Sequence, residues 1–178
     1  MVKVSIIGTA GRDKSQKYTK ELFDKMLHIA KYVLANMKDI TLVSGGAAWA
    51  DHIAVKLYLE GYVKDLELHL PCNWDNNQYL DNGKYYWKDN PGKTANSYHF
   101  NFSKTIGCNT LNEITLAINK GARIQVHDGF HARNTEVANS EFLLAFTWSQ
   151  ENQPPDGGTL DTWNKSNAQK IHISLHQL

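Results

Sequence analysis

The sequence predicts an α/β fold in which a mostly parallel central sheet lies between layers of helices. Short β-branched runs such as Val2–Ile7 alternate along the chain with segments whose apolar residues recur at helical spacing. Glycines follow several of these runs, at the corners where a strand would lead into a helix. A chain of 178 residues with 42% hydrophobic and 21% charged residues is also long enough to bury one core. We therefore expect a single domain over residues 1–178.

The first part of the chain contains three predicted strands and two predicted helices. Val2–Ile7 is a short apolar run that is typical of a buried parallel strand, and it ends at Gly8. Apolar residues at helical spacing predict a long amphipathic helix over residues 15–37. A strand, a helix and a third strand are then predicted at Ile40–Val43, Ala47–Glu60 and Leu66–Leu70.

An aromatic-rich segment interrupts this alternation between residues 72 and 104. It is rich in Asn, Asp, Gly and aromatic residues and shows little helical or strand period, so we predict a long loop, either an insertion or a lid over a ligand pocket. Lysines lie among the aromatic residues, as in sites for single-stranded nucleic acid, but Asp75, Asp81 and Asp89 offset their charge. Nucleic acid is therefore disfavoured as a partner.

The last part of the chain returns to the alternation of helices and strands. Helices are predicted at Asn109–Lys120, Ala132–Asn139 and Leu160–Gln169, and strands at Arg123–His127, Phe142–Thr147 and Ile171–Leu175. Strands that alternate with helices imply right-handed βαβ units and hence parallel pairing.

Charge, cysteine content and hydropathy exclude several classes of protein. The formal net charge of +1 argues against a broad surface for nucleic acid. Cys72 and Cys108 have no CxxC spacing, so we predict neither a disulfide framework nor a zinc site. We also expect no other metal and no cofactor. The chain lacks an apolar run of about 18 residues, the minimum for a membrane span. We expect a cytoplasmic protein without a membrane partner.

Three glycine-containing loops follow predicted strands, and a parallel sheet would bring them to the same edge. They are "GTAGRD" from Gly8, "SGGAAWAD" from Ser44 and "PPDGGTLD" from Pro154. Glycine lets the backbone approach a ligand closely, and free N–H groups at a helix start bind anions. The three loops together favour a phosphate or ribose cradle over simple tight corners. Neither GxGxxG nor GxxxxGK[ST] is present, which argues against a standard dinucleotide dehydrogenase and a P-loop nucleotidase.

Several of these stretches together resemble the SLOG superfamily. "VSGGAAWADHIA" is similar to the superfamily signature "SGGAxGADxxA", with Trp49 in place of the usual glycine. "HARNTEVANSEFLLAFTW" and "GGTLDTWNKSNAQKIHISL" are similar to its Arg-Asn helix, apolar strand, Gly-Thr turn and closing helix and strand. The superfamily includes the DNA-processing protein A fold, the lonely-guy phosphoribohydrolases and small bacterial and phage proteins. The resemblance implies a Rossmann-like three-layer sandwich that binds a nucleotide or a nucleotide-derived metabolite.

The resemblance also implies roles for individual residues. Arg133 would clamp a phosphate or carboxylate with its planar guanidinium, although a surface pair with Glu136 is the alternative. Asp51 would contact a ribose hydroxyl or, alternatively, stabilise the start of its own helix. Trp49 would pack in the core or stack on a base. The predicted ligand-binding residues are Gly8, Thr9, Arg12, Ser44, Gly45, Gly46, Ala47, Asp51, Arg133, Asn134, Gly157, Gly158 and Thr159.

The sequence leaves enzymatic activity open. The phosphoribohydrolase branch carries "PGGxGTxxE", whose glutamate assists cleavage of the base–ribose bond, whereas this chain has Thr162 at that position and Asp161 one place earlier. Ligand binding is therefore the first interpretation. The alternative is an N-glycosidase of nucleoside monophosphates with Asp161 or Glu136 as the catalytic carboxylate. A single-stranded DNA-binding module is a second alternative. The resemblance to the superfamily also implies a homodimer as a candidate partner.

Overall fold

A computed structural model describes all 178 residues, with a six-stranded parallel sheet at the centre. The strands are β1 (Val2–Gly8), β2 (Ile40–Ser44), β3 (Asp65–Leu70), β4 (Trp74–Asp75), β5 (Gln78–Tyr79), β6 (Arg123–Val126), β7 (Phe142–Thr147) and β8 (Gln169–Ser174). The sheet order is β6-β3-β2-β1-β7-β8 with every pairing parallel, and β4 and β5 form a separate hairpin. The predicted α/β fold is confirmed.

Six helices cover the two faces of the sheet. They are α1 (Lys20–Leu34), α2 (His52–Leu59), α3 (Pro91–Ile106), α4 (Thr110–Lys120), α5 (Phe130–Val137) and α6 (Gly158–Lys165). Alternating residues of β1 divide the core, because Val4 and Ile6 pack with α1 to α4 while Ile7 packs with Val137 of α5. The result is the three-layer arrangement that the sequence predicts. None of the helices has the length and apolar character to cross a membrane.

The structure corrects the prediction for residues 72–104, which contain the β4–β5 hairpin and most of helix α3. The Asn90 side chain accepts a hydrogen bond from the Lys93 amide, and Pro91 opens the first turn, so the helix begins with a regular start signal. Phe102 is among the buried residues of its inner face, but the buried His99 lies in the same stripe. A polar side chain within the apolar stripe hides the helical period.

Several helix bounds also differ from their predicted positions. Helices α5 and α6 begin two residues earlier than predicted, at Phe130 and Gly158, and α6 ends at Lys165 because Gln169 already belongs to β8. Helix α1 begins at Lys20 rather than at residue 15 because the Thr19 side chain caps it by accepting from the Leu22 amide. A 3-10 turn, Trp49–Asp51, precedes α2, so the helix proper begins at His52 instead of Ala47.

The strand order creates a switch point between β1 and β7. The chain runs from β1 through β2 and β3 to β6 at one edge, while β7 and β8 lie on the other side of β1. Ligands of open α/β sheets bind in the crevice at the carboxyl ends of the strands, at such a reversal. The backbone N–H of Thr9 donates to Phe146 O at 2.9 Å, which places the loops after β1 and β7 side by side.

Candidate ligand site

The three glycine loops meet at the carboxyl edge of the sheet. The Ala50 amide donates to Thr9 O at 3.1 Å, which joins the loop after β2 to the loop after β1. Thr159 Oγ1 donates to Gly8 O at 3.0 Å, which joins the start of α6 to the same loop. The hydroxyl proton of Thr159 is therefore used within the protein.

Gly45 and Gly46 lie against the protein's own side chains. A Cβ at Gly45 would lie 2.6 Å from Arg133 Nη1 and 2.7 Å from Asp51 Oδ2. Gly46 has φ +70, and a Cβ there would collide with the Tyr79 hydroxyl. These internal contacts account for both glycines without a ligand.

The glycines at the start of α6 have open surroundings by contrast. Gly157 has φ +135, and a Cβ on it would meet no atom within 4 Å. A Cβ on Gly158 would meet only Asn134 Nδ2, at 3.6 Å. The start of α6 is therefore the part of the predicted phosphate or ribose cradle that has room for a bound group.

Arg133 is a buried arginine with unused donors. Its side chain donates from Nε to Asn134 Oδ1 at 3.0 Å and from Nη1 to Gly45 O, and Nη1 lies 3.9 Å from Asp51 Oδ2. The surface pair with Glu136 that the sequence leaves open does not form. No protein acceptor bonds to Nη2, so this planar group keeps two N–H donors for an anion.

Ser44 and Asp51 shape the β2 loop from within. Ser44 Oγ donates to Asp51 O at 2.9 Å and accepts from the Gly46 amide at 3.1 Å. Asp51 Oδ2 accepts from the Ala47 amide at 3.3 Å. Burial raises the pKa of Asp51, and the Arg133 charge opposes that rise only in part. The predicted contact of Asp51 with ribose would therefore involve a buried carboxyl that already holds its own loop.

Helices α5 and α6, like α2, begin without a side-chain cap, whereas the three longer helices have one. Thr19, Asn90 and Asn109 cap α1, α3 and α4. Gly129 and Gly157 precede α5 and α6, and neither helix start has a side-chain cap. Their first N–H groups point out of the positive end of each helix without a protein partner there. Asn134 links the two starts, because its Nδ2 lies 3.4 Å from Gly158 O and 3.2 Å from Asp161 Oδ2.

The two candidate catalytic carboxylates differ in their surroundings. The Asp161 carboxylate accepts hydrogen bonds from Lys165 Nζ at 3.0 Å and from the Asn134 side chain at 3.2 Å. Burial acts to raise the pKa of Asp161, but the hydrogen bonds from Lys165 and Asn134 lower it below its ordinary value. Asp161 is thus ionised at neutral pH. Glu136 is half-buried on α5 and makes no side-chain hydrogen bond.

Trp49 packs in the core, which decides between its two predicted roles. It is only 3% exposed, and its ring centre lies 4.7 Å from that of Phe102 and 4.9 Å from that of Tyr18. Its φ of +63 lies in the left-handed region, where glycine is favoured and a bulky side chain is strained. The glycine of the signature that this chain resembles would suit this backbone conformation.

Two aromatic residues that were not predicted as site residues lie near Arg133, because Phe130 packs on its guanidinium and Trp87 packs on Phe130. The Phe130 ring lies 5.4 Å from the guanidinium carbon of Arg133, and the half-exposed Trp87 ring lies 6.4 Å from the Phe130 ring. Trp87 belongs to the aromatic-rich segment, so that segment reaches the site. The sequence did not mark Phe130 as a site residue, because a single aromatic residue at a helix start forms no distinctive pattern. Arg12 of the β1 loop is exposed and forms no ion pair.

Comparison with known proteins places the chain in a family. It is 38% identical to "Uncharacterized protein R261" of Acanthamoeba polyphaga mimivirus over 187 aligned positions, which cover 98% of each chain. The chain belongs to the family of this mimivirus protein. No family model and no solved structure matches it. The alignment with the mimivirus protein covers 98% of this chain, so it includes the aromatic-rich segment 72–104.

Proposed function

We propose that this protein binds a nucleotide or a nucleotide-derived metabolite at the carboxyl edge of its sheet. One observation carries the proposal: the buried Arg133 keeps its Nη2 donors free beside two uncapped helix starts. Positive helix ends and a guanidinium attract the same ligand group, a phosphate.

The start of α6 is the proposed position of the phosphate. The N–H groups of Gly158 and Thr159 donate to no protein acceptor there, and Gly157 leaves room beside them. The Thr159 hydroxyl donates to Gly8 O, so the backbone amides rather than this hydroxyl would make the contact. Arg12, on the neighbouring β1 loop, supplies a further positive charge.

The aromatic residues next to Arg133 are the proposed base-binding part of the site. Trp87 and Phe130 offer ring faces on which a nucleobase stacks. The resemblance of the loops to the SLOG superfamily supports the same class of ligand. The left-handed φ of Trp49, at the position of the signature's glycine, agrees with that resemblance.

Cleavage of the base–ribose bond is the second candidate function. The ionised Asp161 at the α6 start favours it, because a carboxylate next to the sugar stabilises a developing ribosyl cation. A carboxylate with a lowered pKa is a poor general acid, so Asp161 would not be the group that protonates the leaving base.

Calorimetry with AMP, ADP-ribose, adenosine and a single-stranded oligonucleotide tests the proposal. We expect AMP to bind at least about tenfold more tightly than adenosine, because the phosphate contacts are charge-assisted. Arg133→Lys should weaken AMP binding by about tenfold or more, since lysine cannot donate in the same plane to Gly45 O and to phosphate.

Arg123→Lys is the matched control, because Arg123 pairs with Asp65 at the edge of the sheet. Undiminished AMP binding by Arg133→Lys would remove Arg133 from the site. Tight, salt-dependent binding of the oligonucleotide without binding of AMP would favour the DNA-binding alternative instead.

A further inference from the structure

Asn134 joins Arg133 to the start of α6 through its side-chain amide. Its Oδ1 accepts a hydrogen bond from Arg133 Nε at 3.0 Å, and its Nδ2 lies 3.4 Å from Gly158 O and 3.2 Å from Asp161 Oδ2. Asn134 is only 6% exposed. The two protons of Nδ2 therefore have two acceptors within the protein, and the amide is occupied without a ligand.

The partners of this amide allow only one orientation of it. Nε of an arginine carries a proton and accepts nothing, so it must face the amide oxygen. The carbonyl of Gly158 and the ionised carboxylate of Asp161 can only accept, so they must face the amide nitrogen. A flipped amide would place a donor against Arg133 and an acceptor against both oxygens. The charges of the partners thus fix the side chain of Asn134.

The bond from Arg133 to Asn134 also sets the direction of the free donors of Arg133. In a guanidinium group, Nη1 lies on the same edge as Cδ, and Nη2 lies on the same edge as the Nε–H. The first edge faces Gly45, because a Cβ there would lie 2.6 Å from Nη1 and 2.9 Å from Cδ. The second edge faces Asn134, because Nε donates to its Oδ1. Nη2 therefore lies on the side of Arg133 that faces Asn134 and, beyond it, the start of α6.

The acidic side chains near Arg133 leave this second edge free for an anion. Asp51 Oδ2 lies 3.9 Å from Nη1, on the edge that faces Gly45. Asp161 lies in the first turn of α6, but Lys165 Nζ is 3.0 Å from its Oδ2 and offsets its charge. The positive charge of Arg133 and the positive end of α6 are therefore available to the same anion.

We propose that Asn134 is a positioning residue that turns Nη2 of Arg133 toward the start of α6, so that both bind the same phosphate group of the ligand. This role rests on the proposed function, because it takes a phosphate-bearing nucleotide as the ligand. Asn134 thereby acts through Arg133 and Gly158 rather than by the direct ligand contact that the sequence predicts. The preference for a nucleotide over its nucleoside depends on this bridge.

Calorimetry with AMP and adenosine tests this role, because a positioning residue affects only the affinity that the phosphate contributes. We expect Asn134→Ala to reduce the advantage of AMP over adenosine from about tenfold or more to below about threefold, with the affinity for adenosine unchanged. Asn134→Leu keeps the volume of the side chain but lacks the amide, so it should give the same result. Ribose 5-phosphate, which has no base, should lose affinity by the same factor as AMP.

Asn109→Ala is the matched control. Asn109 caps α4 by accepting a hydrogen bond from the Asn112 amide, and it lies outside the proposed site. This variant loses a structural hydrogen bond but should keep the full advantage of AMP. Equal losses of AMP and adenosine affinity in Asn134→Ala would indicate a purely structural asparagine and would overturn the positioning role.

Nitrogen-15 NMR of the arginine side chains supplies a second readout that needs no ligand. The chain has three arginines, Arg12, Arg123 and Arg133, so the Arg133 Nε–H signal is assigned by its loss in Arg133→Lys. We expect this proton to exchange with solvent at least about tenfold faster in Asn134→Ala than in the wild-type protein, because its acceptor is gone. An unchanged exchange rate would overturn the bridge itself.

The outcomes separate this role from the proposed function. A wild-type protein that binds AMP, with an undiminished advantage over adenosine in Asn134→Ala and Asn134→Leu, would overturn the positioning role and leave nucleotide binding standing. A wild-type protein that binds neither AMP nor ribose 5-phosphate would overturn both.

Discussion

The Tyr79 hydroxyl donates a hydrogen bond to the carbonyl oxygen of Gly46, and His99 Nε2 donates to the same oxygen at 2.9 Å. Both donors belong to the segment 72–104, and all three groups are buried. Two donors on one buried carbonyl fix the orientation of the peptide group. The aromatic-rich segment therefore holds the β2 glycine loop in place in addition to any contact with a ligand.

Tyr79→Phe should lower the free energy of unfolding by about 1–2 kcal/mol. The substitution removes the donor to Gly46 O but keeps the buried ring, which packs 4.9 Å from Trp74. Urea denaturation measures the change, and Tyr85→Phe is the control, because Tyr85 is 94% exposed. Equal stability of the two variants would show that His99 alone fixes the loop.

Gly46→Ala should cost more stability than alanine at a glycine with the same backbone but free space. Gly61 has φ +75 with no atom within 4 Å of a Cβ, so Gly61→Ala measures the backbone cost alone, about 1 kcal/mol. The added collision at Gly46 involves the Tyr79 hydroxyl. Gly46→Ala combined with Tyr79→Phe should therefore recover part of the loss. Identical costs at Gly46 and Gly61 would contradict this account.

Trp49→Gly should destabilise the protein even though it relieves backbone strain. Because glycine has no Cβ, the substitution removes the steric cost of the left-handed conformation, which is about 1–2 kcal/mol. Removing a buried tryptophan that contacts Phe102 and Tyr18 costs about 3–5 kcal/mol. Thermal unfolding compares the variant with the wild-type protein. A higher melting temperature would mean that strain outweighs packing at this position.

Stability should fall as the pH drops below 6.5, because two buried histidines are neutral in the folded protein. Burial, followed by the nearby His52, lowers the pKa of His99 from its ordinary 6.5 to about 3, and burial lowers the pKa of His52 as well. The unfolded chain binds these protons first, so the stabilisation is complete above pH 6.5, and the part that comes from His99 is lost progressively toward pH 3. The slope from His99 reaches about 1.4 kcal/mol per pH unit.

Urea denaturation between about pH 7.5 and about pH 5 measures this loss of stability. Glu113 contributes only below its ordinary pKa of 4.5, because hydrogen bonds from His52 and Lys56 outweigh burial and lower its value to about 2. His99→Gln should flatten the pH dependence over this range. A wild-type protein whose stability is unchanged over this range would show that the buried imidazoles take up protons without cost.

Trp87→Leu and Phe130→Leu should each weaken nucleotide binding if the base stacks on these rings. Stacking of one base contributes about 1–3 kcal/mol, which corresponds to about fivefold to a hundredfold in affinity. Calorimetry with AMP measures the loss, and Tyr85→Leu is the control, because its ring makes no aromatic contact. Ribose 5-phosphate should bind the wild type and Trp87→Leu equally. Unchanged AMP affinity in both ring variants would place the base elsewhere.

Local patterns were sufficient to predict most of the sheet. The apolar run at Phe142–Thr147 is a strand with the predicted bounds, and all six of its residues are buried. Helix α3 could have been found from Asn90 and Pro91, but the buried His99 obscured its apolar stripe. The partners of His99, which are Gly46 and Thr110, lie on other elements, so no local pattern reveals that burial.

The sequence by itself determined the α/β alternation, the parallel sheet and the meeting of the glycine loops at one edge. These features follow from residue periodicity and from the direction of parallel strands, both of which are local properties. Only the tertiary structure decided which glycines face open space, that Arg133 is buried with Nη2 free, and that His69 lies within hydrogen-bonding distance of both Glu67 and His127. Those properties depend on distances between side chains far apart in the chain, and such distances exist only after the core has packed.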